Sequence, residues 1–240
     1  DRPVRCVYTR PEGMASTTKR HPARMRARFA CDAEGQLSAC VFHGDFNTGA
    51  YASWGPTVAA RVPVHAMGPY VVPAVRCTSA AIYTTDTPAG AFRGFGVPQA
   101  AIAHETLVDR LAEATGRDPL EFRWRNALRV GSLTATGQRL TSSVGLRACL
   151  DALRPHWHRA RSAAEATNQA SALMRRGVGV ACMWYGIGNT SMSNPSAMTV
   201  GLSRDGKITL YSGALDIGQG SNTVMVQIAA DAIGVKVGEI

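Results

Sequence analysis

Several features that would settle a protein's class at once are scarce in this chain. Lysine occurs only at positions 19, 207 and 236, so the formal net charge of +9 comes from arginine. Charged residues make up 18% and hydrophobic residues 45% of the 240 residues, which excludes a disordered chain of low hydrophobicity. No run of about 18 apolar residues is present, and this predicts that the chain has no membrane span.

Cysteine is also too scarce, and too irregularly spaced, for a disulfide scaffold or a metal site. The sequence has six cysteines but no CxxC pair. Cys40 and His43 are separated by two residues, and His156 and His158 alternate, yet neither pair has a second pair at zinc-ligand spacing. We therefore predict core thiols, ordinary histidines, no metal bound by side chains, and a reducing compartment, the cytoplasm.

The densest basic segment predicts a strand face better than a nucleic-acid site. It contains Lys19, Arg20, Arg24, Arg26 and Arg28. The arginines alternate as residues on one face of a strand do, and no aromatic side chains are interleaved to stack on bases. A basic nucleic-acid-binding domain is therefore the third alternative, and we predict no nucleic-acid partner.

Turn residues and hydrophobic periodicity divide the first two thirds of the sequence into strands followed by helices. Residues 1–90 alternate and contain turns, which predicts a meander of strands with a short helix at residues 54–62. A three- and four-residue period then predicts a helix from Pro98 to Gly116. Asp118 before Pro119 predicts an N-cap and a short helix to residue 128. A third helix is predicted from Ser142 or Ser143 to residue 166, with an interruption near Pro155.

The last third of the sequence predicts a second set of strands and one more helix. Strands are expected at 177–185, 196–203 and 208–214, and the Asp205-Gly206 turn between the last two predicts a hairpin. A helix is expected at 222–233, and both termini alternate like strands. Runs of like elements predict an α+β fold. We assign residues 1–166 and 176–240 to two subdomains, joined by a polar linker at 167–175.

Two glycine-rich segments have compositions that suit a ligand. Residues 87–99 hold three glycines, two phenylalanines and an arginine between a predicted strand and a helix. Glycine allows close approach to a ligand, although the aromatic side chains could equally fill the core. Residues 216–223 form a glycine turn before the last helix, whose N–H groups could face an anion. An ordinary turn capped by Ser221 or Asn222 is the alternative, and the turn matches neither a P-loop nor a dinucleotide fingerprint.

These segments, taken together, resemble the molybdenum-binding subunit of the xanthine dehydrogenase/aldehyde oxidase family, and the resemblance spans essentially the whole chain. The motifs that carry it are Ala-Phe-Arg-Gly-Phe-Gly at 91–96 with Pro98 and Gln99, Gly-Arg-Asp-Pro-Leu-Glu-Phe-Arg at 116–123 with Asn126, and Asp-Ile-Gly-Gln-Gly at 216–220 with Thr223 and Gln227.

The resemblance implies a molybdenum held by molybdopterin, in the cytosine dinucleotide form. This cofactor hydroxylates a carbon of an N-heterocycle, such as a purine, or of an aldehyde, with oxygen from water. Electrons would leave through iron–sulfur clusters to FAD in partner domains or subunits. The complete enzyme is expected to be a homo-oligomer.

The resemblance also assigns roles to individual residues. Phe92, Arg93 and Gly94 would border the molybdenum centre, and Arg93 is the one catalytic residue expected. Phe95 would pack against a planar substrate, and Arg61 would hold an oxygen of that substrate with its planar fork of donors. Cofactor contacts are expected from the second glycine turn, at Ile217, Gly218, Gln219 and Gly220.

The family pattern further implies parts of the site outside this sequence. A Gly-Gly-Phe-Gly loop is expected before Asp1, and the catalytic glutamate is expected after Ile240. We therefore predict an internal fragment that retains little cofactor and is inactive by itself. The main alternative from another class is a binding or interaction module that folds without a cofactor.

Overall fold

The structure is a computed structural model that describes residues 2–186 and 195–240, and the chain divides into two compact units, Asp1–Tyr185 and Gly186–Ile240. The first unit contains α1 (Arg10–Ser16), β1 (Ala23–Cys31), β2 (Leu37–Gly49), α2 (Gly55–His65), β3 (Ala74–Tyr83), α3 (Val97–Ala114), α4 (Pro119–Asn126) and α5 (Leu146–Ala170). The second contains β4 (Thr199–Leu202), β5 (Ile208–Tyr211), α6 (Ser221–Ile233) and a 3-10 turn at Val237–Glu239. The predicted α+β class is confirmed.

A three-stranded sheet of order β1-β2-β3 is the centre of the first unit. β1 and β2 pair antiparallel, and Ala23 lies opposite Phe46. β2 and β3 pair parallel, and Ala39 lies opposite Ala74. The strands therefore do not form the simple meander that the sequence suggested, because α2 crosses over between β2 and β3 and returns the chain in the same direction.

The two faces of this sheet differ as the sequence pattern predicts. Along β1 the side chains alternate, and Arg24, Arg26 and Arg28 are exposed while the residues between them are partly buried. α2 packs against β2 and β3, and α3 packs against β1 and α2. The core between them includes Phe42 and Phe46 of β2, both fully buried. One face of the sheet thus supports the helices, and the other presents the basic residues to solvent.

A buried ion-pair network fixes α3 against α4. The Arg123 side chain is fully buried, and its Nε donates to Glu105 Oε2 at 2.8 Å. Its Nη2 lies 2.8 Å from Asp109 Oδ1. The Tyr70 hydroxyl donates to the other oxygen of Glu105. A buried guanidinium is tolerated only with such partners, so this part of the motif at residues 116–126 belongs to the scaffold.

Two further residues of that motif are also structural. Asp118 caps α4 by accepting hydrogen bonds from Leu120 and Glu121 N–H, as predicted. Its carboxylate also accepts from Trp157 Nε1 at 2.9 Å, which ties α4 to α5. Asn126 joins α4 to the start of β2 and to the turn before it, since it accepts from the Leu37 N–H and donates to the Gly35 carbonyl, both at 2.8 Å.

α5 begins and ends a few residues later than predicted, and it is not interrupted by Pro155. It runs from Leu146 to Ala170. Its buried residues Leu150, Trp157 and Ala164 recur every seven positions, so one face packs continuously. This packing offsets the roughly 3 kcal/mol that an interior proline costs. The helix includes residues 167–170 of the expected linker, and the first unit continues to Tyr185; the proposed division into subdomains stays a prediction.

The second unit is a hairpin and a helix. β4 and β5 pair antiparallel, with Thr199 opposite Tyr211, and Gly206 takes a φ of +83° in the connecting turn. Both the hairpin and α6 were predicted. Within the described residues 195–240, only Ala230 of α6 is a buried apolar residue. Leu202 and Leu215 expose 74% and 82% of their surface.

Three expected strands are wrong in the described residues. Residues 2–9 have no regular structure and lead into α1, which begins with Pro11 in its first turn and a capping box between Thr9 and Glu12. Asp1 of the first expected strand lies outside the described residues. Residues 177–185 are also irregular, and residues 237–239 form a 3-10 turn. Alternation alone does not make a strand where no neighbouring strand supplies hydrogen bonds.

Candidate functional site

The loop at residues 92–96 (hereafter the aromatic loop) has an unusual backbone. Gly94, Phe95 and Gly96 take φ values of +92°, +46° and +94°. Glycine adopts this left-handed region readily, but a bulky residue such as Phe95 does so at a cost of about 1–3 kcal/mol. The N–H groups of Phe95 and Val97 donate to the carbonyls of Phe92 and Gly94, at 2.8 and 2.9 Å. The surrounding residues must therefore hold the loop in this form.

Close packing makes both glycines of the aromatic loop obligatory. A Cβ atom on Gly94 would lie 2.6 Å from Pro98 Cγ, and one on Gly96 would lie 2.8 Å from Val62 Cγ2. Such distances are shorter than real Cβ contacts, so a side chain there would displace the loop from α2 or from the start of α3. The glycines are needed for packing within the chain, and the loop is part of a rigid wall.

Each phenylalanine of the aromatic loop is contacted by an arginine from another element. Arg20 Cζ lies 4.7 Å from the centroid of the Phe92 ring, and Arg61 Cζ of α2 lies 5.5 Å from that of Phe95. Guanidinium groups at these distances are attracted to the face of an aromatic ring. The two arginines therefore fix the orientation of both rings.

Arg61 is enclosed by aromatic side chains. Its Cζ also lies 5.1 Å from the centroid of the Tyr185 ring, and Trp54 contacts Phe95 edge to face with centroids 6.2 Å apart. Among the residues that the structure describes, Arg61 Nη1 is buried and has no hydrogen-bond partner. A buried donor without an acceptor is unfavourable, so this atom is a candidate donor to an acceptor of a bound molecule.

His65, one turn after Arg61 in α2, contacts both Tyr185 and Arg61. Its ring stacks on Tyr185 with centroids 5.9 Å apart, and its Nδ1 lies 3.0 Å from the Arg61 carbonyl oxygen. Burial lowers the pKa of His65, and the positive charge of Arg61 lowers it further, while the hydrogen bond to the Arg61 carbonyl opposes the change. A neutral imidazole therefore stacks behind Tyr185.

The sequence located part of this arrangement and missed the rest. Arg61 and Phe95 are in contact, and Phe92, Arg93 and Gly94 lie beside them in one loop. The Arg93 side chain is exposed, and its carbonyl accepts a hydrogen bond from Arg20. Trp54, Tyr185 and Arg20 were not predicted as site residues. Of these three residues, only Arg20 lies in a segment that the sequence pattern singled out. That basic segment was interpreted as one face of a strand.

The glycine turn of the second unit is held mainly by hydrogen bonds within the turn itself. Asp216 Oδ1 accepts from the Gly218 N–H at 2.7 Å, and Oδ2 accepts from the Asn222 N–H at 3.4 Å. These hydrogen bonds, that from Gly218 above all, lower the pKa of Asp216. A carboxylate at a helix N-terminus is favoured by the exposed N–H groups and the helix dipole. Asp216 thus occupies the position that the sequence offered to a phosphate, and neither Ser221 nor Asn222 is the cap.

Gln219 is also bound within its own turn. Its Nε2 donates to the Leu215 carbonyl and to Ser221 Oγ, both at 2.7 Å, and its Oε1 accepts from the Ile217 N–H at 2.7 Å. The turn is exposed. Gly218 and Gly220 take φ values of +108° and +80°, so glycine is required at both positions. The roles of 217–220 toward a cofactor stay predictions.

Within residues 2–186 and 195–240, no cluster of three or more His, Cys, Asp or Glu side chains could hold a metal ion. All six cysteines are free, and Cys40 and Cys182 are buried. Burial and the neighbouring Glu105 raise the pKa of the Cys182 thiol to about 11. In the same described residues, no helix is both long and apolar enough to cross a membrane.

Comparison with known proteins identifies the family. Two matches to the molybdopterin cofactor-binding domain cover residues 1–127 and 152–240. The nicotinate dehydrogenase large molybdopterin subunit of Eubacterium barkeri is 46% identical over 64% of this chain and 36% of its own length. The putative xanthine dehydrogenase molybdenum-binding subunit of Escherichia coli is 36% identical over 99% of this chain and 32% of its own.

The fold agrees with these sequence matches. The aldehyde oxidoreductase of Desulfovibrio gigas superposes with a TM-score of 0.84 at 31% identity, over 97% of this chain and 26% of that protein. The chain thus spans about a third of the curated relatives' length and about a quarter of this structure. It belongs to the molybdopterin cofactor-binding family, and it corresponds to part of the molybdenum-binding subunits of xanthine dehydrogenases and aldehyde oxidoreductases.

Proposed function

We propose that this chain forms one wall of the active site of a molybdenum hydroxylase that oxidises an N-heterocycle or an aldehyde with oxygen from water. The observation that carries the proposal is the Arg61 guanidinium, which stacks between Phe95 and Tyr185 and has a buried donor without a partner among the described residues. A planar ring and a directed donor side by side suit a flat substrate that carries an acceptor atom.

Two segments would hold the cofactor. In the aromatic loop, the N–H groups of Gly94 and Gly96 have no backbone acceptor among the described residues, so they fit an electronegative ligand. When bound, the molybdenum cofactor supplies the oxidation of the substrate carbon and the uptake of its electrons. Arg93, whose side chain is exposed beside these donors, is the catalytic residue we propose. Its role is to stabilise negative charge near the loop.

The turn at 217–220 is the second proposed cofactor contact. The Asp216 carboxylate already accepts from the N–H groups of Gly218 and of Asn222 in the first turn of α6, so a negatively charged group of the cofactor would meet a carboxylate rather than free N–H groups. The Gln219 amide fits the polar edge of a pterin better than it fits a phosphate, since it offers donors and an acceptor together. We therefore assign the pterin, and not the phosphate, to this turn.

Substrate orientation follows from Arg61 and Phe95. The Phe95 ring provides a flat apolar surface for any aromatic substrate, and Arg61 Nη1 would donate to an oxygen or nitrogen of a heterocycle. An aromatic aldehyde whose ring carries no such oxygen or nitrogen would contact the Phe95 ring alone. Relatives named nicotinate dehydrogenase and xanthine dehydrogenase support the heterocycle, and the aldehyde oxidoreductase keeps the second class open.

The finer features of the holoenzyme belong to the same proposal. They are the cytosine dinucleotide form of the cofactor, iron–sulfur and FAD partner domains or subunits, a homo-oligomer, and a cytoplasmic location. The names of the relatives as large and molybdenum-binding subunits support the partner subunits. Because this chain provides only part of the cofactor's surroundings, we expect it to retain little molybdenum by itself.

The test is a comparison of Arg61→Met and Phe95→Ala in the holoenzyme on a purine-like substrate and an aromatic aldehyde. Arg61→Met should lower kcat/KM roughly ten- to hundred-fold on the purine only, since it removes a charge-assisted hydrogen bond. Phe95→Ala should lower it on both substrates, because both lie against the ring. Arg110→Met, an exposed arginine of α3, is the matched control.

Equal losses on both substrates for Arg61→Met would contradict the heterocycle assignment and leave Arg61 as a structural residue. Parent activity of both variants on both substrates would contradict the site itself.

A further inference from the structure

Arg20 lies outside the residues that the family resemblance singled out, yet it makes two contacts with the aromatic loop. Its Nη2 donates to the Arg93 carbonyl at 2.6 Å, and its Cζ lies 4.7 Å from the centroid of the Phe92 ring. Its Nη1 lies 3.8 Å from the position that a Cβ of Gly94 would occupy. One guanidinium thus contacts Phe92 and Arg93, and it borders the space beside Gly94.

The backbone brings Arg20 to the loop. Lys19 pairs with the segment that begins the loop, since its N–H donates to the Pro88 carbonyl at 3.1 Å and its carbonyl accepts from the Gly90 N–H at 3.0 Å. This parallel bridge fixes the register between the two segments. Arg20 therefore meets the loop because of main-chain hydrogen bonds next to it, and not through a chance contact of a flexible side chain.

The contacts match what the loop requires. The left-handed backbone at residues 94–96 is strained at Phe95 and persists only if its surroundings hold it. Arginine can stack on a ring and donate in the plane of its guanidinium at once, which lysine cannot do. Arg20 Nη1 is buried and without a partner in the described part of the chain. A buried donor without a partner is unfavourable for stability, so stability alone does not explain why an arginine occupies this position.

From these contacts we infer that Arg20 is a positioning residue: it holds the aromatic loop in its left-handed form, so that Phe95 and the loop N–H groups face the reacting molecules. The inference rests on the proposed function of the loop. Arg20 acts through Phe92 and the Arg93 carbonyl rather than by touching the substrate.

The experiment measures two quantities in the holoenzyme, amide hydrogen exchange at Phe95 and Val97 and turnover on a heterocycle and an aldehyde. Arg20→Met removes the hydrogen bond and the charge but keeps an unbranched, largely apolar side chain. We expect it to speed exchange at both amides by about ten-fold or more. It should lower kcat by roughly ten-fold or more and by a common factor on both substrates. Denaturant unfolding should show an intact fold.

Two variants separate positioning from general stability. Arg20→Lys keeps a charged donor but loses the planar fork, and it should recover part of kcat and part of the protection at Phe95 and Val97. Arg24→Met, which removes an exposed arginine of the neighbouring strand β1, should match the parent in both measurements. A kcat loss confined to the heterocycle would instead assign Arg20 to substrate binding and overturn the inference.

The inference and the proposed function fail in different ways. Parent exchange rates at Phe95 and Val97 in Arg20→Met would overturn the positioning role, whatever the loop does. Faster exchange with parent turnover would show that the loop is positioned by Arg20 but is not needed for catalysis. That result would overturn the proposed function of the loop.

Discussion

The two glycine-rich segments of this chain are held in place by different means. The aromatic loop of the first unit is fixed from outside, because Arg20 and Arg61 contact its two rings and Pro98 and Val62 fill the space beside its glycines. The turn of the second unit is fixed from within by Asp216 and Gln219, and a Cβ on Gly220 would meet no atom within 4 Å.

The two units that carry these segments also differ, in how much apolar surface each buries. The first unit encloses a core with a buried ion-pair network, whereas the described part of the second buries little apolar surface. Hydrophobic burial supplies most of the stability of a folded domain. A preformed wall of a site is therefore expected in the first unit, and a lower stability is expected for the second.

The largest effect should follow from breaking the network of the first unit. Glu105→Gln leaves the fully buried Arg123 without its main counter-charge and should lower the free energy of unfolding of that unit by about 3–5 kcal/mol. Urea denaturation followed by Trp fluorescence measures it. Glu121→Gln, which breaks the half-exposed pair with Arg154, should cost at most about 1 kcal/mol. Similar losses in both variants would contradict the stabilising role of the buried network in the first unit.

A smaller effect on stability should follow from lowering the pH. Burial lowers the pKa of His104 to about 4 and also lowers the pKa values of His21 and His65. The unfolded chain takes up these protons first, so stability is present near neutral pH and is lost as the pH falls from about 6.5 toward 4.

For His104 alone, the free energy of unfolding should fall by about 2 kcal/mol between about pH 7 and about pH 5. Denaturant titrations at the two pH values measure this difference. His104→Gln should abolish that share of the pH dependence, while His158→Gln, at an exposed position, should leave it unchanged. An unchanged pH dependence in His104→Gln would show that His104 does not carry it.

The smallest effect should come from the second unit. Asp216→Ala removes the carboxylate that accepts from the Gly218 and Asn222 N–H groups, so amide exchange at both should become several-fold faster while the first unit keeps the parent rates. Thr223→Ala is the matched control in the same exposed turn of helix. Parent exchange rates in Asp216→Ala would show that the turn is held by something other than its own carboxylate.

Local chemistry explains what the sequence predicted of the fold. Asp118 with Pro119 marked the start of α4, and Asp205 with Gly206 marked the hairpin, because caps and turns depend on a few adjacent residues. The parallel pairing of β2 and β3 and the continuity of α5 through Pro155 were not predicted. Both depend on packing between residues far apart in sequence, which alternation and proline rules do not include.

The same limit applies to the candidate site. Arg61 and Phe95 came from the family resemblance, and the structure places them in contact. Arg20 lies more than 70 positions before the carbonyl that it holds, and only the register of Lys19 with Ala89 brings the two together. Asp216 was read as part of a motif for a ligand, although a carboxylate beside free N–H groups is itself a cap.

The central claim is that the aromatic loop, in its left-handed form, is a wall of the molybdenum site, and the molybdenum content of two glycine variants tests it most directly. Gly94 and Gly131 have nearly equal φ values, +92° and +88°. A Cβ on Gly94 meets Pro98 Cγ at 2.6 Å, whereas one on Gly131 meets nothing within 4 Å.

In the purified holoenzyme, Gly94→Ala should lose most of its molybdenum, by about ten-fold, while Gly131→Ala keeps the parent content and both variants unfold cooperatively. The two variants carry the same backbone penalty, so the difference between them reports the loop alone. Equal molybdenum content in the two variants would contradict the account.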